Sequence, residues 1–76
     1  MANYENGLDT KAKIIDACKE LFYLKGFEKT TFKDIGQLAG VNQGLIVYYF
    51  KNKNILASKV LQLVMSQLME KIELQF

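Results

Sequence analysis

Apolar residues recur at three- and four-residue spacing in four stretches of this chain, and the pattern predicts helices throughout. From Thr10 to Lys25 the stripe is Ile14, Ala17, Cys18, Leu21 and Phe22, widened by Ile15 and Leu24. Thr10 suits the N-cap of this helix, Lys25 complements its negative end, and Gly26 supplies the stop. Phe32, Ile35, Leu38 and Ala39 form a shorter face, with Thr31 as N-cap and Asp34 at the spacing of a capping box. Gly40 ends that helix, Val41 turns back into the core, and Asn42 caps a third helix from Gln43 to about Tyr49. Two short capped helices joined by a glycine-containing turn make a helix-turn-helix. Asn52 then caps a last helix from Lys53 to Phe76, about 35 Å long at 1.5 Å per residue. The expected fold is all-α: a homeodomain-like three-helix head over residues 10–51, a long helix over 52–76, and a short mobile arm over 1–9.

The third and fourth helices expose more than packing on a small head explains. Leu45, Ile46 and Phe50 account for a buried side of the third, leaving Gln43, Gly44, Tyr48 and Tyr49 near the surface. Paired tyrosines combine flat apolar bodies with hydroxyls, which suits sugar-phosphate as well as protein. Gly44 inside a helix costs roughly 1 kcal/mol against Ala. Either a close approach to another surface or a simple packing gap explains it. On the fourth helix, Leu56, Val60 and Leu63 form one stripe suited to the head. Leu61, Met65, Leu68 and Ile72 form a second that points away from it. The second stripe needs something else to cover it, and the abrupt end at Gln75-Phe76 reads as that of a fragment.

Composition narrows the chemistry. The 76 residues include one cysteine and no histidine, which removes disulfide and metal staples and leaves a partner as the remaining support for so small a core. Cys18 and the two serines have no apparent base beside them, so no catalytic residue, metal site or cofactor is expected. Residues 1–9 lack a basic n-region and an apolar h-region, and Lys59 with the polar stripe of the last helix argues against a membrane span. The net charge is only +2, but its distribution is uneven. Lys33, Lys51, Lys53 and Lys59 against Asp34 alone give residues 30–59 a charge of +3. Every basic residue is lysine, so bidentate arginine-to-guanine contact is excluded. Lys53 at the first position of the last helix brings an ammonium to a positive helix end, where a phosphate would dock.

The segment AGVNQGLIVYYFKNK resembles the recognition segment of the tetracycline-repressor (TetR) family. Ala39, Gly40, Val41, Gly44, Ile46, Tyr49, Phe50 and Lys53 match in register. The likeness runs upstream through Ile14, Ala17, Leu21, Phe22, Gly26, Phe27, Thr30, Thr31 and Ile35, and downstream to Leu56. Gly36 replaces a customary alanine and weakens its helix, Asn42 replaces a serine cap, Asn54 a frequent glutamate, and Val47 stands where the family often has tyrosine.

The resemblance implies a cytoplasmic transcriptional regulator, usually a repressor, with no enzymatic activity. Such a protein binds a near-palindromic double-stranded DNA operator as a homodimer. It releases the operator when a further C-terminal domain binds a small-molecule inducer. By that likeness the helix from Gln43 enters the major groove. Gln43 would read adenine, Gly44 allow close approach, and Val47 touch a thymine methyl. Thr31, Tyr48, Tyr49, Lys51 and Lys53 would hold phosphates. A helical protein-interaction or dimerisation module without DNA binding is the rival; it explains the apolar last helix well and the clustered lysines poorly.

Overall fold

A computed structural model describes residues 7–74, and side chains over 7–72. Four helices follow one another: α1 (Gly7–Lys29), α2 (Phe32–Ala39), α3 (Gln43–Phe50) and α4 (Lys53–Leu74), with no strand among the described residues. The bounds of α2 coincide with the sequence expectation, and those of α3 differ by one residue. The first helix is longer than expected at both ends.

At its start, α1 begins at Gly7, so Thr10 is a buried helical residue and not the cap. Gly7 lies against the recognition segment: a methyl there would stand 3.2 Å from the Tyr49 hydroxyl. Tertiary contact, together with Asp9 in the first turn, extends the helix past the residue that local capping favours. Of the expected mobile arm, residues 7–9 are therefore helical, and 1–6 lie outside the described residues. At the other end Gly26 does break the helix, with φ 86° and ψ 163°, a region only glycine adopts readily. Phe27–Lys29 continue as a bent final turn. The Thr30 hydroxyl donates to the Gly26 carbonyl at 2.7 Å and closes the bend.

The core gathers Ile14, Ala17 and Cys18 from α1, Ile35 from α2, Ile46 and Phe50 from α3, and Leu56 and Val60 from α4. Ile14, Cys18, Ile35, Ile46 and Leu56 are wholly buried. Leu24, Leu38 and Leu45, expected on buried faces, are exposed. A head built from one long and two short helices buries only a narrow strip of each, and these leucines lie outside it. Leu63 is also exposed, which corrects the stripe expected on α4. The helix rises about 1.5 Å per residue and leaves the head after Val60. Every residue from Leu61 to Ile72 is exposed, the expected outward stripe included.

Candidate functional site

The α2–turn–α3 unit is held by short-range bonds that its sequence announces. The Asp34 N–H donates to Thr31 Oγ1 and the Thr31 N–H donates to Asp34 Oδ2, both at 3.1 Å, which completes the capping box. Lys25 reaches the same Oδ2 at 3.0 Å. The Lys25 ammonium, then the Thr31 N–H and hydroxyl, hold the Asp34 carboxyl below its ordinary pKa of 3.8. Gly40 ends α2 at φ 74°, and the N–H groups of Gly40 and Val41 both donate to the Gly36 carbonyl, at 2.9 and 3.0 Å. Asn42 caps α3 by accepting from the Gly44 N–H at 2.6 Å.

Helix α3 then divides into two sides. Ile46 and Phe50 face the core. Gln43, Gly44, Val47 and Tyr48 are exposed, Tyr48 by 70%. A methyl on Gly44 would meet only the Asn42 side-chain oxygen within 4 Å, at 3.0 Å, so no other described residue covers this position. Tyr49 is different. It is half-buried beside α1, with the Lys11 ammonium 5.4 Å from its ring centre and the Tyr48 ring edge-on at 5.0 Å. The adjacent tyrosines thus divide between packing on the head and facing solvent.

The chain leaves α3 through a strained residue. Lys51 has φ 66° and ψ −63°, and the Asn52 N–H donates across it to the Phe50 carbonyl at 2.6 Å. This is the γ-turn in its uncommon, strained form. Asn52 then caps α4, its side-chain oxygen accepting from the Ile55 N–H at 2.9 Å. Thr31, Phe32, Val47, Lys51, Asn52 and Lys53 line an open groove of about 380 Å³ beside the exposed side of α3.

Lys53 forms one wall of that groove, yet its ammonium points inward. It donates to the Phe27 carbonyl at 2.7 Å, to Thr30 at 3.0 Å and to Glu28 at 3.4 Å, and stands 4.4 Å from the Phe27 ring centre. An ammonium has three donors, and all three are engaged. A phosphate contact from Lys53 requires giving up at least one carbonyl. The positive end of α4 is offset from within, by the carbonyls at the bend of α1. Beneath it, burial pushes the Cys18 thiol up to about 11 against the opposing charge of Lys53, which keeps it protonated and inert.

Of the eight residues expected at the site, Thr31, Val47, Lys51 and Lys53 share the groove, with Gln43, Gly44 and Tyr48 on the exposed part of α3. Tyr49 lies apart, against α1. Sequence reasoning missed Lys25 on the capping box, Lys11 on Tyr49 and the carbonyls around Lys53. Each joins one helix to another helix or its flanking turn, and no spacing within a single helix marks such pairs. Gly36 was read as a mere weakness in α2, whereas the turn packs directly against it. No group of residues arranged for a metal ion occurs among the described residues. No described helix is long and apolar enough to cross a membrane.

Residues 14–60 match the family model described as bacterial regulatory proteins, tetR family. The chain is 42% identical over 57 residues to the HTH-type transcriptional regulator TtgR of Pseudomonas putida, covering 75% of this chain and 27% of that protein. It is 34% identical over 68 residues to the HTH-type transcriptional regulator AcrR of Shigella flexneri, covering 90% of this chain and 31% of that protein. With the probable HTH-type transcriptional regulator YttP of Bacillus subtilis the identity is 46% over 46 residues, 60% of this chain and 22% of that protein. The chain thus spans under a third of the length of these relatives. No solved structure gives a significant match.

Proposed function

Because this chain belongs to the tetR family of bacterial regulatory proteins, we propose that it is the DNA-reading head of a larger transcriptional regulator. The observation that carries this reading is the exposed side of α3. Gln43, Gly44, Val47 and Tyr48 stand uncovered on a short helix whose inner side is locked into the core. In this reading the N-terminal turn of α3 enters the major groove. Gln43 pairs with adenine, Val47 meets a thymine methyl, and Gly44 lets the backbone approach. Thr31 and Lys51, which line the groove beside α3, and Tyr48 on the exposed side of that helix hold phosphates. Tyr49 and Lys53 act at one remove: Tyr49 seats α3 on the start of α1, and Lys53 holds the α4 N-terminus to the bend of α1.

The whole regulator, in the same reading, is a cytoplasmic homodimer on a near-palindromic operator, with half-site centres about 34–36 Å apart or a multiple of that. It represses until a small inducer binds the part of the protein outside this chain. The exposed apolar side of α4 supports this, since it matches a helix that passes from the head into further structure. The names of the relatives support a regulator and not an enzyme.

Binding of the chain to random-sequence duplex, followed by fluorescence anisotropy across a salt series, tests the reading. Affinity should be measurable at low salt and fall linearly on a log–log plot as salt rises. Failure to bind duplex at low salt would overturn it and favour the protein-interaction module. Selection of binding sites from a random pool then yields the preferred half-site.

A further inference from the structure

Gly36 lies buried in the middle of α2, where glycine is among the poorest helix formers. Its carbonyl receives both N–H groups of the following turn, so the chain folds back onto the residue that lacks a side chain. A methyl on Gly36 would stand 2.9 Å from the Val41 carbonyl oxygen, 3.6 Å from Ile46 Cδ1 and 3.7 Å from the Gln43 amide nitrogen. An ordinary carbon-to-carbonyl contact is about 3.3 Å or longer, so relief requires a shift of roughly 0.4 Å. The nearest neighbour is main chain, which cannot swing aside as a side chain can. The shift must therefore pass into Val41 and the residues that follow: the cap Asn42, then Gln43 and Gly44. The other glycines differ. A methyl at Gly7 or Gly44 meets a side-chain atom, and at Gly26 or Gly40 it meets nothing within 4 Å.

We propose that Gly36 is a positioning residue for α3: its missing side chain sets how close the turn lies to α2, and so the depth at which Gln43 and Gly44 are presented. Its significance for sequence reading rests on the DNA-binding function proposed above; its effect on the helix position does not. The consequence is a change in how α3 is presented as well as in stability. Gly36→Ala improves the helix propensity of α2 but displaces the reading end of α3. Hydrogen bonds to base edges depend on that placement, whereas contacts to phosphate tolerate a small offset.

The test compares Gly36→Ala with Gln37→Ala, which changes propensity at the neighbouring exposed position and adds no contact to the turn. Three quantities are read: the thermal midpoint, the amide chemical shifts of Gln43 and Gly44, and the affinity ratio between the duplex selected by the unaltered chain and a scrambled one. Gly36→Ala should still fold, with a lowered midpoint, because the main chain at Val41 must move to admit the methyl. It should move the Gln43 and Gly44 amides, and it should reduce the affinity ratio about tenfold through loss on the selected duplex. Gln37→Ala should leave the amides and the ratio in place. Unchanged amides in Gly36→Ala, or an unchanged ratio, would overturn the proposal. So would an unfolded Gly36→Ala chain, because the space at Gly36 would then be a requirement for folding itself and not a setter of position. If the unaltered chain binds no duplex, the DNA-reading function fails, while the amide shifts still decide whether Gly36 places α3.

Discussion

Helix α2 is closed at both ends by residues suited to the task, whereas α3, also eight residues long, is capped well at its start and strained at its finish. Thr31 and Asp34 satisfy each other at the start of α2, and Gly40 ends it in a left-handed conformation that glycine adopts freely. Asn42 caps α3, but Lys51 ends it at φ 66°, where a side chain is out of place. The outer sides differ too. On α3, Leu45, Val47 and Tyr48 are exposed apolar or aromatic residues, beside the exposed Gln43 and Gly44. At the two ends of α2 local preference and tertiary role agree. In α3 they conflict at Gly44, Tyr48 and Lys51, and such conflicts gather where a surface is kept for something outside the fold.

The largest effect should come from the residue that ties the chain after α3 to the turn before α2. Lys53→Ala removes an ammonium from three carbonyls, and charged hydrogen bonds are worth about 1.5–3 kcal/mol. Urea unfolding should show a loss of that order. The slope of log affinity against log salt should stay unchanged, as it does when no phosphate contact is lost. A slope lowered by about 0.9 with stability intact would return Lys53 to the phosphate-contacting surface.

Next is Gln43→Ala, which should break the outer side of α3 and nothing else. Affinity for the selected duplex should drop by about 1–3 kcal/mol, with discrimination relaxed at one base pair per half-site. The unfolding midpoint should hold. Equal loss on scrambled duplex would make Gln43 a general contact.

Thr31→Ala attacks the opposite region, the closed start of α2. Loss of an N-cap costs about 1 kcal/mol, and this should appear in urea unfolding as a lower midpoint without a change in slope. If α2 is the self-sufficient partner of the pair, α3 amide shifts should move less than those of α2.

Replacing Lys51 by glycine sharpens the contrast from the other side, since it gives α3 the kind of terminus α2 already has. Relief of strain, less the added freedom of the unfolded chain, should raise stability by up to about 1 kcal/mol. Nonspecific DNA affinity should fall through loss of the charge. A gain in both would mean that Lys51 is not a DNA contact.

The smallest effect is pH-dependent. Asp34 has a folded pKa below its ordinary 3.8, held there by Lys25 and Thr31. Its contribution is therefore complete above the unfolded value and disappears as pH falls through the lower folded value. Unfolding of the unaltered chain and of Asp34→Asn, compared at about pH 7 and about pH 2.5, should show a difference that shrinks at the lower pH. A constant difference would mean that the carboxylate charge is not what closes α2.

What the chain determines locally was legible without the structure. The α2 bounds follow from Thr31, Asp34 and Gly40, the start of α3 from Asn42, and the start of α4 from Asn52, because caps and stops act within about four residues. Leu61, Met65, Leu68 and Ile72 are exposed as their periodicity implies, but so is every other residue from Leu61 to Ile72, Leu63 included. What only the tertiary structure decides joins residues remote in sequence. Contact between Gly7 and Tyr49 accompanies a helix start earlier than the good cap at Thr10. The divided roles of Tyr48 and Tyr49 depend on where α1 crosses α3. Lys53 reads locally as an ammonium at a positive helix end awaiting an anion, and only the bend at Gly26, more than twenty residues earlier, brings the carbonyls that receive it. Spacing along a chain specifies the face a residue occupies; which neighbour that face meets is set by how the helices pack.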